Sequence, residues 1–324
     1  MSTQTSSLWH RHGPIITVPK GHPQWATHCQ YPTVYKRSPR HWWLFFTARD
    51  ALNRAMVMRA DLDPTDGMRV RAVTAEPLLR AGIGAFSDVD GVGVMGVFDH
   101  AGQRYSLVND FRTLPDTTYT MRIRLLPGPD DAGQYDPNAR PRTLLGSKAN
   151  DRSFYAAPCL LSGPKGFVMW YTCGVGWSLQ TTPFAEPHYD IRRVTSPDLQ
   201  AWTRDEGPAI PRHTAQGESG HTRPSVLQSG SDYEMWYCTR GFYTDPNPAA
   251  RHYSIGYARS RDGVRFERAD AEFAFANPPQ PEEWDAHMQS HPQVVRCDDG
   301  QDYMFYTGND YGRFSLGYAT RVSI

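Results

Sequence analysis

Arg223-Pro224-Ser225-Val226, together with the aromatic run Tyr233-Glu234-Met235-Trp236-Tyr237 behind it, recurs in altered form along the whole chain. The related proline segments are Tyr31-Pro32-Thr33-Val34, Ala157-Pro158-Cys159-Leu160 and His291-Pro292-Gln293-Val294. A further copy, Asp90-Gly91-Val92-Gly93-Val94, lacks the proline but keeps the strand pattern. Aligning Val94 with Pro32, Pro158, Pro224 and Pro292 gives intervals of 62, 64, 66 and 68 residues. Spacing this even marks a repeat architecture. The other aromatic runs are Trp42-Trp43-Leu44-Phe45-Phe46, Tyr105-Ser106-Leu107-Val108, Phe167-Val168-Met169-Trp170-Tyr171 and Tyr303-Met304-Phe305-Tyr306. Short apolar runs rich in β-forming residues read as buried central strands.

A third element alternates in character: Tyr189-Asp190-Ile191-Arg192-Arg193-Val194, Tyr253-Ser254-Ile255-Gly256-Tyr257-Ala258 and Phe314-Ser315-Leu316-Gly317-Tyr318-Ala319. Two copies run into turns, Ser196-Pro197-Asp198 and Ser260-Arg261-Asp262-Gly263, after which an outer strand can form. Three or four strands per unit, five units and no amphipathic helix predict an all-β fold. The expected architecture is one five-bladed β-propeller over residues 1–324, with blades starting near residues 28, 88, 155, 221 and 289. A single blade cannot bury both its faces, so the ring must be complete. The last unit stops after three strands. Gly13-Pro14-Ile15-Ile16-Thr17-Val18 is expected to pair with it and close the ring. A β-sandwich or a pair of domains is the competing layout.

Bulk properties narrow the function. The 324 residues carry 34 basic and 34 acidic side chains, a net charge of zero, with no run of like charges. Nucleic-acid binders normally show a basic excess, so polynucleotides are not expected as partners. No apolar stretch approaches the roughly 20 residues needed to span a bilayer, so no membrane association is expected. The five cysteines form no CxxC pair, and no secretory leader is visible, so reduced thiols and a cytoplasmic setting are expected. GxGxxG and GxxxxGK[ST] motifs are absent, giving no support for a nucleotide cofactor. HExxH and GxSxG are absent too.

The chain resembles the five-bladed propeller glycosidases, the superfamily of arabinanases, β-xylosidases, fructosidases and mannoside phosphorylases. The resemblance spans about residues 12–324. It rests on the repeat segments and on Phe86-Ser87-Asp88-Val89-Asp90-Gly91-Val92, Glu283-Trp284-Asp285 and Tyr306-Thr307-Gly308-Asn309. It implies an active site at one mouth of the central channel, lined by residues just before each first strand. In this chain those are His28 and Gln30, Asp88 and Asp90, Tyr155, then Glu218, His221 and Arg223, and finally Asp285, His287, Gln289 and His291. Trp177 is placed as a pocket wall.

Glycoside hydrolysis generally needs two carboxyl groups, one as acid and one as base or nucleophile. The resemblance places the base on blade one, an assisting aspartate on blade two and the acid on blade four. Thr27-His28-Cys29-Gln30-Tyr31-Pro32 has no acid, whereas Asp88, Asp90 and Glu218 fit the other two places. The leading expectation is a carbohydrate-active enzyme on a sugar or sugar-like metabolite. Asp90 is expected as the base or the group that orients it, Glu218 or His221 as acid, and Gln30, Asp88, Tyr155, Trp177, Arg223, Asp285 and Gln289 as substrate-binding residues. Asp88 and Asp90, flanking Val89, should face the same way on an extended segment. Arg223 suits a ligand carboxylate or phosphate, or equally a salt bridge to Asp90 or Glu218. Four histidines at mouth positions, His28, His221, His287 and His291, raise a second reading: a divalent ion, zinc or similar, in a lyase, isomerase or cyclase. A non-catalytic sugar-binding propeller is the third.

Overall fold

A computed structural model describes residues 8–146, 154–179 and 185–322. The architecture is all-β, with strands grouped in five antiparallel units. The first unit runs Thr27–Ser38, His41–Arg49, Ala55–Asp63, with Arg69–Val73 and Leu79–Arg80 pairing outside it. The second is Gly91–His100, Gln103–Thr113, Tyr119–Pro127, Arg142–Leu145. Tyr155–Gly163, Gly166–Ser178, Glu186–Ser196 and Thr203–Arg204 form the third. The fourth is Glu218–Ser229, Asp232–Gly241, Ser254–Ser260, Glu267–Arg268. Ser290–Arg296, Gln301–Thr307 and Ser315–Val322 make the fifth, and its outer partner is the N-terminal strand His10–Thr17. Gly13 lies opposite Tyr318 and Thr17 opposite Ser315, so the expected exchange of the N-terminal strand occurs.

The aromatic runs show why these units need one another. Alternate residues of a strand point to opposite faces. Trp43 and Phe45 enter a core shared with Val92, Val94 and Val108 of the second unit, while Trp42, Leu44 and Phe46 meet Phe305 and Leu316 of the fifth. Likewise Met235 and Tyr237 join Trp170 and Ile191 of the third unit, and Trp236 joins Met304 and Tyr306 of the fifth. A fifth core links Leu107 and Ile123 to Phe167 and Met169. Central strands are thus buried on both faces, which is why they read as continuous apolar runs. Burying each such side chain is worth about 1.5–3 kcal/mol.

The first strands of the units contact one another in sequence, and that of the fifth returns to that of the first. Polar side chains bridge these contacts. Cys159 Sγ accepts from the Val226 amide at 3.3 Å, Ser225 Oγ from Val294 at 2.7 Å, and Gln293 Oε1 from Val34. Asn109 Oδ1 accepts from the Ala157 amide at 2.6 Å, and Thr33 Oγ1 donates to the Val94 carbonyl at 2.9 Å. The variable residue of polar–Pro–x–Val is therefore the tie between neighbours. All five cysteines are free thiols. Among the described residues, no helix is long and apolar enough to cross a membrane.

Candidate functional site

The prolines of the repeat set up the centre. Each first strand that carries one bulges there, with register breaks at Gln30/Thr33, Ala156/Cys159, Thr222/Ser225 and Ser290/Gln293. The residue before each proline has positive φ: Tyr31 51°, Ala157 45°, Arg223 52° and His291 52°. Non-glycine residues at positive φ cost of order 1–3 kcal/mol, and a bulge re-aims its side chain. These residues crowd the middle of the molecule. The Tyr31 and His291 rings lie 4.0 Å apart, and the Arg223 guanidinium sits 6.0 Å from the Tyr31 ring centroid.

Arg223 is the largest fully buried side chain among them, 2% exposed. Its Nη2 donates to the Pro32 carbonyl at 2.7 Å and to Thr33 Oγ1 at 3.2 Å, and its Nη1 to the Met95 carbonyl at 3.5 Å. It ties the fourth unit to the first and second. Among the described residues it forms no salt bridge to Asp90 or Glu218, and its hydrogen bonds go to uncharged acceptors of the first and second units. Burial lowers its pKa from the usual arginine value.

Above this plug lies a cavity of ≈ 150 Å³. The units meet around it through single parallel bridges, Ala55–Gly91, Met121–Phe154 and Tyr189–Gly220, and a residue of each bridge lines it. Gly220 is required there, because a Cβ would lie 2.2 Å from the Tyr189 ring. Tyr119, Phe154, Tyr189 and Tyr253 supply aromatic walls, and Gln30, Arg49, Asn53 and Asn109 supply polar groups. Trp177 stands behind the wall, 4.7 Å from Tyr119 and 5.8 Å from Phe154. Asp90 is the sole carboxylate among the described lining residues. It is exposed, and its Oδ2 accepts from the Thr113 amide at 2.7 Å.

The tyrosines are wired together. Arg240 Nε donates to Tyr189 Oη at 2.7 Å, and the Tyr189 and Tyr253 hydroxyls are hydrogen-bonded to each other. Arg240 is anchored by Glu186 Oε1 at 2.8 Å. Either hydroxyl can donate in this pair, and where Tyr189 donates, the Tyr253 hydrogen is left for another acceptor. Burial and neighbouring phenols raise Tyr119 and Tyr253 well above the usual phenol range, so both are protonated at neutral pH.

Other expected site residues lie elsewhere. Asp88 does not face the same way as Asp90. The segment before Gly91 is a turn rather than extended, and Asp88 points to Arg122 at 3.7 Å. Tyr155 packs in the core between the second and third units, with Arg204 over its ring, and Phe154 takes the wall position instead. Asp285 is fully buried and accepts from Arg11 at 2.6 and 2.9 Å and from Tyr306 at 2.7 Å. It holds the N-terminal strand to the fifth unit. Gln289 folds back onto the Asp285 carbonyl.

Glu218 accepts from Arg268 at 2.7 and 2.9 Å, from the His213 amide at 2.6 Å, and contacts His221 Nε2 at 3.1 Å. Burial opposes its ionisation, but these bonds overcome it and hold Glu218 far below the usual carboxylate range. A raised pKa is what a general acid requires.

The expected convergence of histidines does not occur. Among the described residues no three His, Cys, Asp or Glu side chains form a metal-holding group. His28 bonds Thr27 Oγ1 at 2.8 Å, and burial beside Arg49 and Arg313 lowers its pKa to about 4. His221 is buried against Tyr237, and His287 is exposed beside His252. His291 sits in the axial plug, where burial and Arg223 lower its pKa to about 3. These donors are paired off with other partners.

A larger open cavity of ≈ 950 Å³ lies by Trp9, Trp236 and Tyr257. Its Arg259, Arg296 and Arg321 are paired with Glu272, Glu234 and Asp302.

No protein-family model matches the sequence. Two proteins from two strains of Mycobacterium tuberculosis, both described as uncharacterized, are each 26% identical over 316 residues, covering 96% of this chain and 98% of theirs. Solved structures are similar in fold over nearly the whole chain. An α-L-arabinofuranosidase from Podospora anserina, in complex with cellotriose, has a TM-score of 0.63 at 11% identity, covering 97% of this chain and 96% of that one. A levansucrase of B. megaterium has a TM-score of 0.67 at 8% identity, covering 99% and 90%. An exo-1,5-α-L-arabinanase from a bovine ruminal metagenomic library has 0.58 at 13%, covering 91% and 94%. The chain thus has the β-propeller fold of these glycoside hydrolases.

Proposed function

We propose that the chain is a single five-bladed propeller, closed by its N-terminal strand, that binds and acts on a sugar or sugar-like polar metabolite in the central pocket. The cyclic contacts of the first strands and the pairing of His10–Thr17 with Ser315–Val322 support the ring. The pocket carries the functional reading. Aromatic rings, amides and one carboxylate line it among the described residues, a mixture that suits a polyhydroxylated ring. A cavity near 150 Å³ accepts a single six-membered ring.

Asp90 is the proton acceptor of the site and Tyr253 its donor. Asp90 presents its carboxylate at the exposed rim, with Oδ2 on the Thr113 amide, and Tyr253 keeps its proton. Arg240 and Tyr189 polarise the donor from behind. Glu218 has no part as acid, because Arg268 holds its charge. The test is turnover of a panel of nitrophenyl glycosides by the native chain, Asp90→Asn and Tyr253→Phe. Loss of a positioned acid or base lowers kcat by about 10²–10⁴. Full turnover in Asp90→Asn would sink the assignment.

A specific observation favours a second reading, a non-catalytic sugar-binding propeller. Among the described residues the pocket is lined by one carboxylate, where ordinary hydrolysis uses two. Ligand binding at the pocket with no turnover of any glycoside would select it.

A further inference from the structure

The charges around the pocket do not balance. Arg49 lines it from the end of the strand His41–Arg49. Its Nη1 donates to Asn53 Oδ1 at 3.0 Å, while its Nε is buried without a partner among the described residues. No carboxylate of the described residues lies within ion-pair distance of Arg49. The same holds for Arg223 beneath the floor, whose hydrogen bonds all go to uncharged acceptors. The one carboxylate, Asp90, sits exposed at the rim on the Thr113 amide.

A buried charge without a counter-charge is costly, and two cations beside one small cavity make its potential positive. Burial lowers the pKa of both arginines from the usual value, as expected for cations lacking a counter-ion. Elsewhere in the molecule buried guanidiniums are neutralised: Arg11 by Asp285, Arg240 by Glu186, Arg321 by Asp302. Two further lining atoms, Gln30 Oε1 and Thr47 Oγ1, are buried without a hydrogen-bond partner among the described residues. A carbonyl acceptor of this kind takes a hydroxyl hydrogen from a ligand.

We infer that the pocket takes an acidic sugar, a ring-sized polyol bearing one carboxylate or phosphate. The anion lies along the free edge of Arg49, and ring hydroxyls serve Gln30 and Thr47. This class rests on the sugar reading above. Guanidinium forks hold a carboxylate or phosphate through parallel bonds, and charged hydrogen bonds are about twice as strong as neutral ones. Arg223 acts at a distance, through the field at the floor.

The experiment is calorimetric titration of the full chain with matched pairs, glucuronate against glucose and galacturonate against galactose, with glucose 6-phosphate as the phosphate arm. At least one acidic sugar is expected to bind ten-fold or more tighter than its neutral partner. Arg49→Gln should abolish that ratio. Raising the salt should weaken acidic-sugar binding in the unaltered protein, which tests the inference even if the variant does not fold. Preference for the phosphate arm over both uronates identifies a sugar phosphate, and the reverse a uronic acid. Equal affinity within every pair, or a preference unchanged by Arg49→Gln and by salt, would overturn the acidic class and leave the sugar reading standing. No binding by any of these sugars would overturn both.

Discussion

The Val294 amide donates to Ser225 Oγ at 2.7 Å, so the fifth unit hangs on the fourth through the residue that follows a repeat proline. Ser225 is buried, so the bond is shielded from water. Ser225→Ala is expected to cost about 1–3 kcal/mol, the penalty of an unpaired buried donor. Chemical denaturation measures it. A change below the error of the midpoint would mean that the tie is dispensable.

Arg11 and Asp285 form the second fastening. Both are buried, and Asp285 also receives the Tyr306 hydroxyl. Removing one partner of a buried ion pair strands the other, at about 3–5 kcal/mol. Arg11→Met should therefore lower the unfolding free energy by that order. Ligand affinity should be unchanged, since Arg11 does not line the pocket. A stable Arg11→Met protein with weakened ligand binding would reverse the roles assigned here.

Glu218 predicts an acid-dependent loss of stability. Its pKa is depressed in the folded state, so its contribution is complete above the unfolded value of roughly 4.3 and is lost as pH falls below it. Glu218→Gln should cost about 1–3 kcal/mol at pH 7, with the difference from the native chain shrinking in acid. Denaturant midpoints at pH 7 and pH 3 provide the check. A Glu218→Gln deficit equal at both pH values would contradict the ion pair with Arg268.

His291 should remain neutral through the physiological range. Its pKa is lowered to about 3 by burial and by Arg223, so the unfolded chain takes up its proton first. Stability from this group is present above about pH 6.5 and falls as pH drops towards 3. Nitrogen-15 chemical shifts of the ring report its state directly. Titration near pH 6.5 would place His291 in solvent rather than against Tyr31.

Much of the fold was written in the repeat. The prolines marked the first strands, and the aromatic runs marked strands buried on both faces. The pairing of His10–Thr17 with Ser315–Val322 followed from a last unit one strand short. The site was less legible. Residues preceding the first strands include Gln30 and Asp90, which line the pocket, but also Tyr155, Asp285 and Glu218, which are held by packing and ion pairs. Local sequence does not reveal that Arg11, 274 residues away, will claim Asp285. Arg49, Asn109 and Tyr253 escaped because they come from other strands and connections. A signal existed: a small polar residue directly follows four of the five aromatic runs, at Thr47, Asn109, Thr172 and Thr307, and the first three line the pocket.

The central claim is that a sugar occupies the pocket bounded by Arg49, Asp90 and Tyr253. A crystal structure of Asp90→Asn soaked with the tightest-binding sugar of the calorimetric panel tests it most directly. One ring is expected in the central cavity, with its anion on Arg49 and a hydroxyl within hydrogen-bond distance of Tyr253. Sugar density by Trp9 and Trp236, with the central cavity holding only water, would contradict it.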